Sequence, residues 1–345
     1  MDLMNPSQRA RIETLAGRIA KTIVAQAEDR YTSHNAAEFL KNRNKFENAV
    51  RETIDGMSGF DEEMKSEYGY PAGYRFAKPV EEQIKRLRKL FPGIADDTDP
   101  RLSFRVKSRP FDLPDGAEGW FAVPNWRAYS EIFGERYDQA AEKVFSVIPQ
   151  IFKSGFDADC EYLKEKKDKE KRASRKTWLH SLLSFKPIGP GFQYLRENIL
   201  KETLMIDLVA RQQYPSILLF PAQFGICHRG ESNKRALRFG LSNGEFGLGA
   251  FEIGCMLLTH PERLINQDNL GIDCAGDELY PWPDTHKHRG VYFDYRGDMV
   301  RFSWKSGEES SACPWSGSAT LFAESPRAVF DLAYKRLNER TKASR

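Results

Sequence analysis

The sequence has few cysteines, no long apolar run and little excess charge of either sign. The five cysteines are scattered over 345 residues without a CxxC pair, which excludes a zinc ribbon and a disulfide framework. No window approaches the roughly 18 apolar residues of a membrane helix, and the first residues lack the apolar segment of a secretory signal. A net charge of +3 does not by itself indicate a nucleic-acid-binding protein. We therefore expect a cytoplasmic protein with reduced thiols and no membrane segment.

The chain contains enough apolar sequence for a large core and enough residues for more than one substructure. Hydrophobic residues make up 40% of the chain and charged residues 29%, which is ordinary for a globular protein. Breaks in the pattern predict three regions: a helical N-terminal region (1–95), a mixed middle region (96–186) and an α+β C-terminal domain (187–345). The middle region includes a basic helix or linker at 164–177. The predicted fold class is α+β, with mixed α/β structure and a small antiparallel sheet in the C-terminal domain.

Hydrophobic periodicity predicts the individual elements. Amphipathic helices are expected over 9–31, over 35–56, after Pro79, and in the segments ERYDQAAEKVFSVI and 192–213. The segments RLSFRV, GWFAV, YPSILLFP and LGIDC read as strands, and GVYFDYRGDMVRFSW reads as a hairpin that turns at Gly297-Asp298. FGLGAFEIGCMLL has the pattern of a buried helix. A last helix is expected to begin with Ser325 as its cap and Pro326 in its first turn.

A basic cluster follows the apolar segment 217–226, where the chain leaves the predicted core. Arg229, Lys234, Arg235 and Arg238 flank a short helix that Ser232 or Asn233 can cap. Because the first amides of a helix attract negative charge, this loop is suited to a phosphorylated or polyanionic ligand. The glycines that follow do not form a phosphate-binding loop, since no Gly-Lys-Ser/Thr occurs there. Gly247, Gly249 and Gly254 are instead expected to allow close packing of a helix.

A second set of residues has the chemistry of acid–base catalysis. His228, Asp273, Asp277 and Glu278 lie at or near the ends of predicted strands, where loops commonly carry functional side chains. Cys227 and His228 cannot form a nucleophile–base pair, because neighbours on an extended chain point to opposite faces. We expect Cys227 to be buried and inert. His286 and His288 lie two residues apart, and with a nearby carboxylate they could hold a divalent metal ion.

Three functions follow from these patterns. The favoured one is an intracellular protein that binds a nucleotide or nucleic acid through the basic loop at 228–238. The second is an enzyme, such as a metal-assisted hydrolase or a transferase, that uses His228, the three acids and the histidine pair. The third is a non-catalytic protein that docks a protein partner through its N-terminal helices. The sequence does not specify a cofactor.

Overall fold

Helices and strands are interspersed in the first part of the described chain, and six successive strands precede the last helix. The structure is a computed structural model that describes residues 63–108, 112–153, 194–279, 290–296, 299–304, 312–324 and 326–343, together with the helical residues Thr14 and Arg18. The described α-helices are α1 Val80–Leu90, α2 Pro100–Ser108, α3 Ser130–Phe133, α4 Tyr137–Lys153, α5 Ile199–Arg211, α6 Asn233–Ser242, α7 Ala250–Thr259 and α8 Pro326–Ala343. The described strands are β1 Gly119–Pro124, β2 Leu195–Glu197, β3 Ile217–Gln223, β4 Glu245–Gly247, β5 Gly271–Asp273, β6 Asp277–Leu279, β7 Val291–Arg296, β8 Met299–Trp304, β9 Ser316–Ser318 and β10 Thr320–Phe322. The predicted α+β class is confirmed.

The strands form three small sheets. One has the order β1-β3-β10-β4 with every pair antiparallel, and another has the order β8-β7-β5-β9, in which β5 and β9 are parallel. A two-stranded antiparallel sheet consists of β2 and β6. Ala319 alone separates β9 from β10, so the chain passes directly from one four-stranded sheet into the other. Strands from distant parts of the sequence therefore meet in common sheets.

The chain divides into two compact units, Met1–Asp61 and Glu62–Arg345, and the elements above belong to the second. Of the helix predicted over 9–31 the structure describes only Thr14 and Arg18, both helical, and the predicted helix over 35–56 and the basic segment 164–177 lie outside the described residues. The predicted divisions at residues 95 and 186 stay a prediction. Among the described residues, no helix has the length and apolarity that crossing a membrane requires.

Helix α7 lies in the middle of the core. All ten of its residues are buried, and it packs against α4 and β1. A helix that is apolar on every side is stable only where it is covered on every side. Gly254 permits this packing, because a Cβ at that position would lie 2.6 Å from Cγ1 of Val144. The predicted role of this glycine in close packing is confirmed.

Several predicted elements are confirmed. The stripe expected on α4 is buried throughout: Tyr137, Ala140, Ala141, Val144, Phe145 and Ile148. GWFAV and LGIDC form β1 and β5, and YPSILLFP contains β3, which is wholly buried and continues to Gln223. The hairpin pairs Arg296 with Met299, although its turn residues lie outside the described ranges. Helix α8 begins at Pro326 as predicted, whereas its predicted cap Ser325 lies outside the described residues.

The strand predicted for RLSFRV is wrong, because this segment lies in α2. Asp99 Oδ1 accepts hydrogen bonds from the backbone amides of Arg101 (2.8 Å) and Leu102 (3.1 Å), and Pro100 occupies the first helical position. A capping aspartate followed by proline is a strong helix start. That local signal prevails over the short alternation of polar and apolar residues.

The single helix predicted for FGLGAFEIGCMLL is also wrong in its first part. Phe246 and Gly247 belong to β4, which pairs with β10, and the helix begins only at Ala250. Likewise, the helix predicted over 192–213 begins at Ile199, after the short strand β2. In both places a three-residue strand precedes the helix, and a segment that short carries no periodicity of its own.

Two glutamine side chains supply hydrogen bonds that neighbouring strands would otherwise supply. Gln83 of α1 donates to the carbonyl of Trp120 (2.8 Å) and accepts from the amide of Ala122 (3.0 Å) at the edge of β1. Gln212 pairs in the same way with both backbone groups of Leu219 in β3. Buried backbone groups need such partners, because leaving one unsatisfied costs about 1–3 kcal/mol.

Replacing Gln83 with leucine is therefore expected to lower the free energy of unfolding by about 2–4 kcal/mol, since it leaves one donor and one acceptor of β1 unsatisfied. Urea unfolding followed by circular dichroism measures the change. Glu82→Gln on the exposed side of the same helix is the control and should stay within about 0.5 kcal/mol of the parent. Equal stability of Gln83→Leu and the parent would show that Gln83 does not support the strand.

Candidate functional site

The predicted basic loop has the expected helix start, but one of its cations is neutralised internally. Ser232 Oγ accepts from the amide of Arg235 (3.1 Å) at the beginning of α6. The guanidinium of Arg235 lies 2.6 Å from Glu63 and 3.4 Å from Glu231. Arg229 is exposed, and its side chain donates to the carbonyl of Tyr68. Lys234 and Arg238 are also exposed. The loop thus presents three exposed cations, whereas Arg235 is half-buried.

His228 is held between two carboxylates. Its Nδ1 lies 2.9 Å from Glu231 and its Nε2 lies 2.9 Å from Glu245, which also accepts from the hydroxyl of Thr320 (2.6 Å). Burial alone would lower the pKa of His228, but the two carboxylates outweigh that effect and raise it to about 9. The imidazole is therefore charged at neutral pH, and both of its nitrogens are engaged. In this state His228 is a structural cation and not a free base.

Cys227 is exposed, so the prediction that it is buried is wrong. The residue lies in the short 3-10 turn Ile226–His228, where its thiol donates to the carbonyl of Gly116 at 3.5 Å. Desolvation raises the pKa of the thiol to about 11, and the nearby acids Glu245 and Glu118 act in the same direction. The thiol is thus protonated at neutral pH, and little of the reactive thiolate is present.

The structure separates the predicted acid–base residues into different environments. Arg229 pairs with Gly317 of β9, and β5 pairs with the other side of β9, so Asp273 lies roughly 10 Å, or two strand spacings, from the loop. Asp273 accepts a hydrogen bond from Ser316 (2.9 Å). Glu278 is half-buried on β6 opposite Arg196. None of these contacts joins His228 to the acids. The enzyme hypothesis stays a prediction.

Asp277 belongs to a buried charge cluster centred on Lys201. The ammonium of Lys201 lies 2.7 Å from Glu252, 3.2 Å from Asp277 and 3.4 Å from Glu197, and it donates to the hydroxyl of Tyr137 at 2.7 Å. We call these five residues the Lys201 cluster. Burial acts to lower the pKa of Lys201, but the three carboxylates outweigh it and raise the pKa above its usual value. Burial also raises the pKa of Asp277, to about 7.

The Lys201 cluster also caps the buried helix α7. Glu252 accepts from the amide of Gly249 (3.2 Å), Asp277 from that of Ala250 (2.6 Å), and Tyr137 from that of Phe251 (3.2 Å). A Cβ at Gly249 would collide with Asp277, Lys201 and Tyr137, so only glycine leaves room for these groups. This glycine was predicted to serve helix packing, and the space that it provides is filled by polar groups.

The predicted metal ligands His286 and His288 lie outside the described residues, so the metal site stays a prediction. Within the part of the chain that the structure describes, no three His, Cys, Asp or Glu side chains are grouped so as to hold a metal ion.

A cleft of about 240 Å³ lies between α2 and α5, on the face of the sheet that contains β1, β3 and β10. Its floor is apolar and includes Leu102, Trp120, Leu204, Leu208, Phe220 and Phe322. Its rim carries charges of both signs: Asp99, Arg101, Arg105, Asp207, Arg211 and Glu324. A concave apolar surface with a few polar groups is the usual form of a small-molecule site.

Two side chains that line the cleft carry polar groups that pair with no described residue. The indole N–H of Trp120 has no hydrogen-bond partner among the described residues, although the side chain is only 6% exposed. Arg101 is exposed and forms no ion pair with any residue of the described ranges. The other two arginines are paired: Arg105 lies 2.8 Å from Glu324, and Arg211 lies 2.7 Å from Asp207.

The cleft was not predicted from the sequence. Its walls come from a helix that was read as a strand and from strands whose pairing brings distant segments together. The only local signal was the Asp99-Pro100 helix start, which places Arg101 and Arg105 four residues apart on one side of α2. No family model, no curated protein and no solved structure matches this chain.

The environment of His228 predicts a pH-dependent stability. Because its pKa is raised from 6.5 to about 9 in the folded state, the stabilisation is fully present below pH 6.5 and is lost as the pH rises through 9. The loss amounts to roughly 3 kcal/mol at most. Urea unfolding at pH 6 and pH 9.5 measures it, and His228→Gln should show a smaller difference between the two pH values. A parent stability that rises with pH over this range would contradict the assignment.

Proposed function

We propose that the protein binds a small carboxylic acid with an aromatic body in the cleft between α2 and α5. The observation that supports this most directly is the indole N–H of Trp120, which has no hydrogen-bond partner among the described residues and belongs to a side chain that lines an apolar cleft. A buried donor without a partner costs free energy, which a ligand acceptor would recover. Dry apolar cavities of about 150 Å³ already hold a benzene ring, so this volume suits a ring with a short polar group.

The charges at the rim favour a carboxylate over a larger polyanion. Arg101 offers a guanidinium that forms no ion pair with the described residues and can bind a carboxylate through two hydrogen bonds. The remaining rim charges alternate in sign, and Asp207 and Glu324 would repel a multiply charged phosphate. An aromatic amino acid fits this arrangement as well, since its ammonium group can lie beside the rim acids.

Calorimetric titration with benzoate and phenylalanine tests the proposal, and benzamide and phenyl phosphate serve as matched ligands. The carboxylates should bind more tightly than benzamide, which has the same ring without the charge. Trp120→Phe keeps a ring but removes the N–H and should weaken binding about tenfold. Arg101→Gln should weaken it about tenfold or more, because it removes a charged hydrogen bond.

Arg75→Gln removes an exposed arginine outside the cleft and should leave binding unchanged. The proposal is wrong if no carboxylate binds, or if the Trp120 and Arg101 variants bind as tightly as the parent.

A second candidate is the nucleotide or nucleic-acid binding predicted for the loop at 228–238. The exposure of Arg229, Lys234 and Arg238 supports it, whereas the ion pairs of Arg235 reduce its share of the positive charge. Gel-shift titrations with single- and double-stranded DNA and RNA at low and high salt test it. Binding should weaken steeply with salt and should fall when the three exposed cations are replaced with glutamine. Unshifted nucleic acid at low salt would exclude this candidate.

A further inference from the structure

The Lys201 cluster places an amine and a carboxyl group in contact where no outside reactant can reach them. The side chains of Lys201 and Asp277 are both 0% exposed, and Nζ of Lys201 lies 3.2 Å from Oδ1 of Asp277. None of the residues that line the cleft belongs to this cluster. Any chemistry of the amine is therefore intramolecular, and carboxyl groups are the electrophiles within its reach.

We propose that Lys201 and Asp277 condense to form an isopeptide bond inside the folded protein. Within the ion pair, one proton first passes from the ammonium of Lys201 to the carboxylate of Asp277. The neutral amine then attacks Cγ of Asp277, so that an N–C bond forms. One C–O bond of the protonated carboxyl group then breaks, and the oxygen leaves as water with one proton from the acid and one from the amine. The product is an amide, and the step requires no oxidant, reductant or co-reactant.

Glu252 lies where the proton transfer requires a base. Its Oε2 is 2.7 Å from Nζ of Lys201, so it can take a proton from the nitrogen and deliver it to the departing oxygen. In this proposal Glu252 is a catalytic residue, because it touches the reacting nitrogen.

The carboxyl group of Asp277 is polarised by fixed donors. Its Oδ2 accepts from the amide of Ala250 at 2.6 Å, and the Tyr137 hydroxyl lies 2.8 Å from Oδ1 and 2.9 Å from Oδ2. The amide of Ala250 stands in the first turn of the ten-residue helix α7, where the helix dipole favours negative charge. These donors would stabilise the oxyanion that forms when the amine attacks.

Burial favours the condensation in two ways. It favours the protonated form of Asp277, which the reaction requires, and it favours an uncharged product. The pKa of Asp277 is raised to about 7 by desolvation, so a substantial share of this carboxyl group is protonated at neutral pH. Removing an ammonium and a carboxylate from water is costly, whereas an amide at the same place carries no charge. The released water molecule escapes to solvent when the structure opens locally.

The decisive experiment is the intact mass of the full-length protein, purified and denatured. We expect a mass lower than the sequence mass by one water molecule, and tandem mass spectrometry of a digest should give a branched peptide that joins residues 201 and 277. A cyclic imide at Asp115-Gly116 would remove the same mass but would yield no branched peptide. A full sequence mass, or a water loss located elsewhere, would overturn the proposal.

Three variants separate the chemistry from the structural role of the Lys201 cluster. Asp277→Ala removes the electrophile and should restore the full mass of its own sequence. Glu252→Gln keeps an acceptor for the amide of Gly249 and should fold without cross-linking, as judged by circular dichroism and mass. Persistent loss of water in folded Glu252→Gln would overturn the role of Glu252. Glu142→Gln on the exposed side of α4 is the control and should retain the water loss.

Discussion

The first N–H groups of a fully buried helix need hydrogen-bond acceptors other than water. This constraint determines the arrangement of side chains at the centre of the protein. Helix α7 has no exposed residue, so solvent cannot bind the N–H groups at its start. Side chains from two other segments and from α7 itself do so: Tyr137 of α4, Asp277 of β6 and Glu252 of α7. Two of these caps are carboxylates, and burying them requires a cation. Lys201 of α5 supplies it, which ties α4, α5, α7 and β6 to one point.

The same requirement explains residues that look unrelated in the sequence. Gly249 is small because the side chains that cap α7 converge on its α-carbon. Glu197 and Asp277 stand opposite each other in the β2–β6 pair, where two like charges would repel, and the ammonium of Lys201 lies near both. The cluster thus determines which residues are tolerated on five elements at once, and it also creates the contact from which a covalent bond can form.

The periodic parts of the fold were predictable, and the parts that depend on long-range pairing were not. The stripe on α4, the alternation in β7 and β8, and the start of α8 at Pro326 are local patterns that the structure confirms. Nothing in the local sequence indicated that Gln83 would bond to β1 or that Gln212 would bond to β3. Gln212 reaches Leu219 across a reversal in which Gln213 and Tyr214 adopt positive φ values of 62° and 57°, where a glycine would have marked the turn.

Of the candidate site residues, Asp277 was singled out from the sequence, but Lys201, Tyr137 and Glu252 were not, because only the fold brings them to it. The cleft was missed for the same reason.

Occupation of the cleft between α2 and α5 by an aromatic carboxylate is the central functional claim, and the indole N–H of Trp120 reports on it directly. Two-dimensional NMR of protein with ¹⁵N-labelled tryptophan resolves this group, and its signal can be assigned with Trp120→Phe. Trp126 is an internal control, because its indole N–H is also buried and has no partner among the described residues, yet it does not line the cleft. Addition of benzoate or phenylalanine should move the Trp120 signal and leave that of Trp126 in place. A Trp120 signal that stays fixed at saturating concentrations of both ligands would contradict the account.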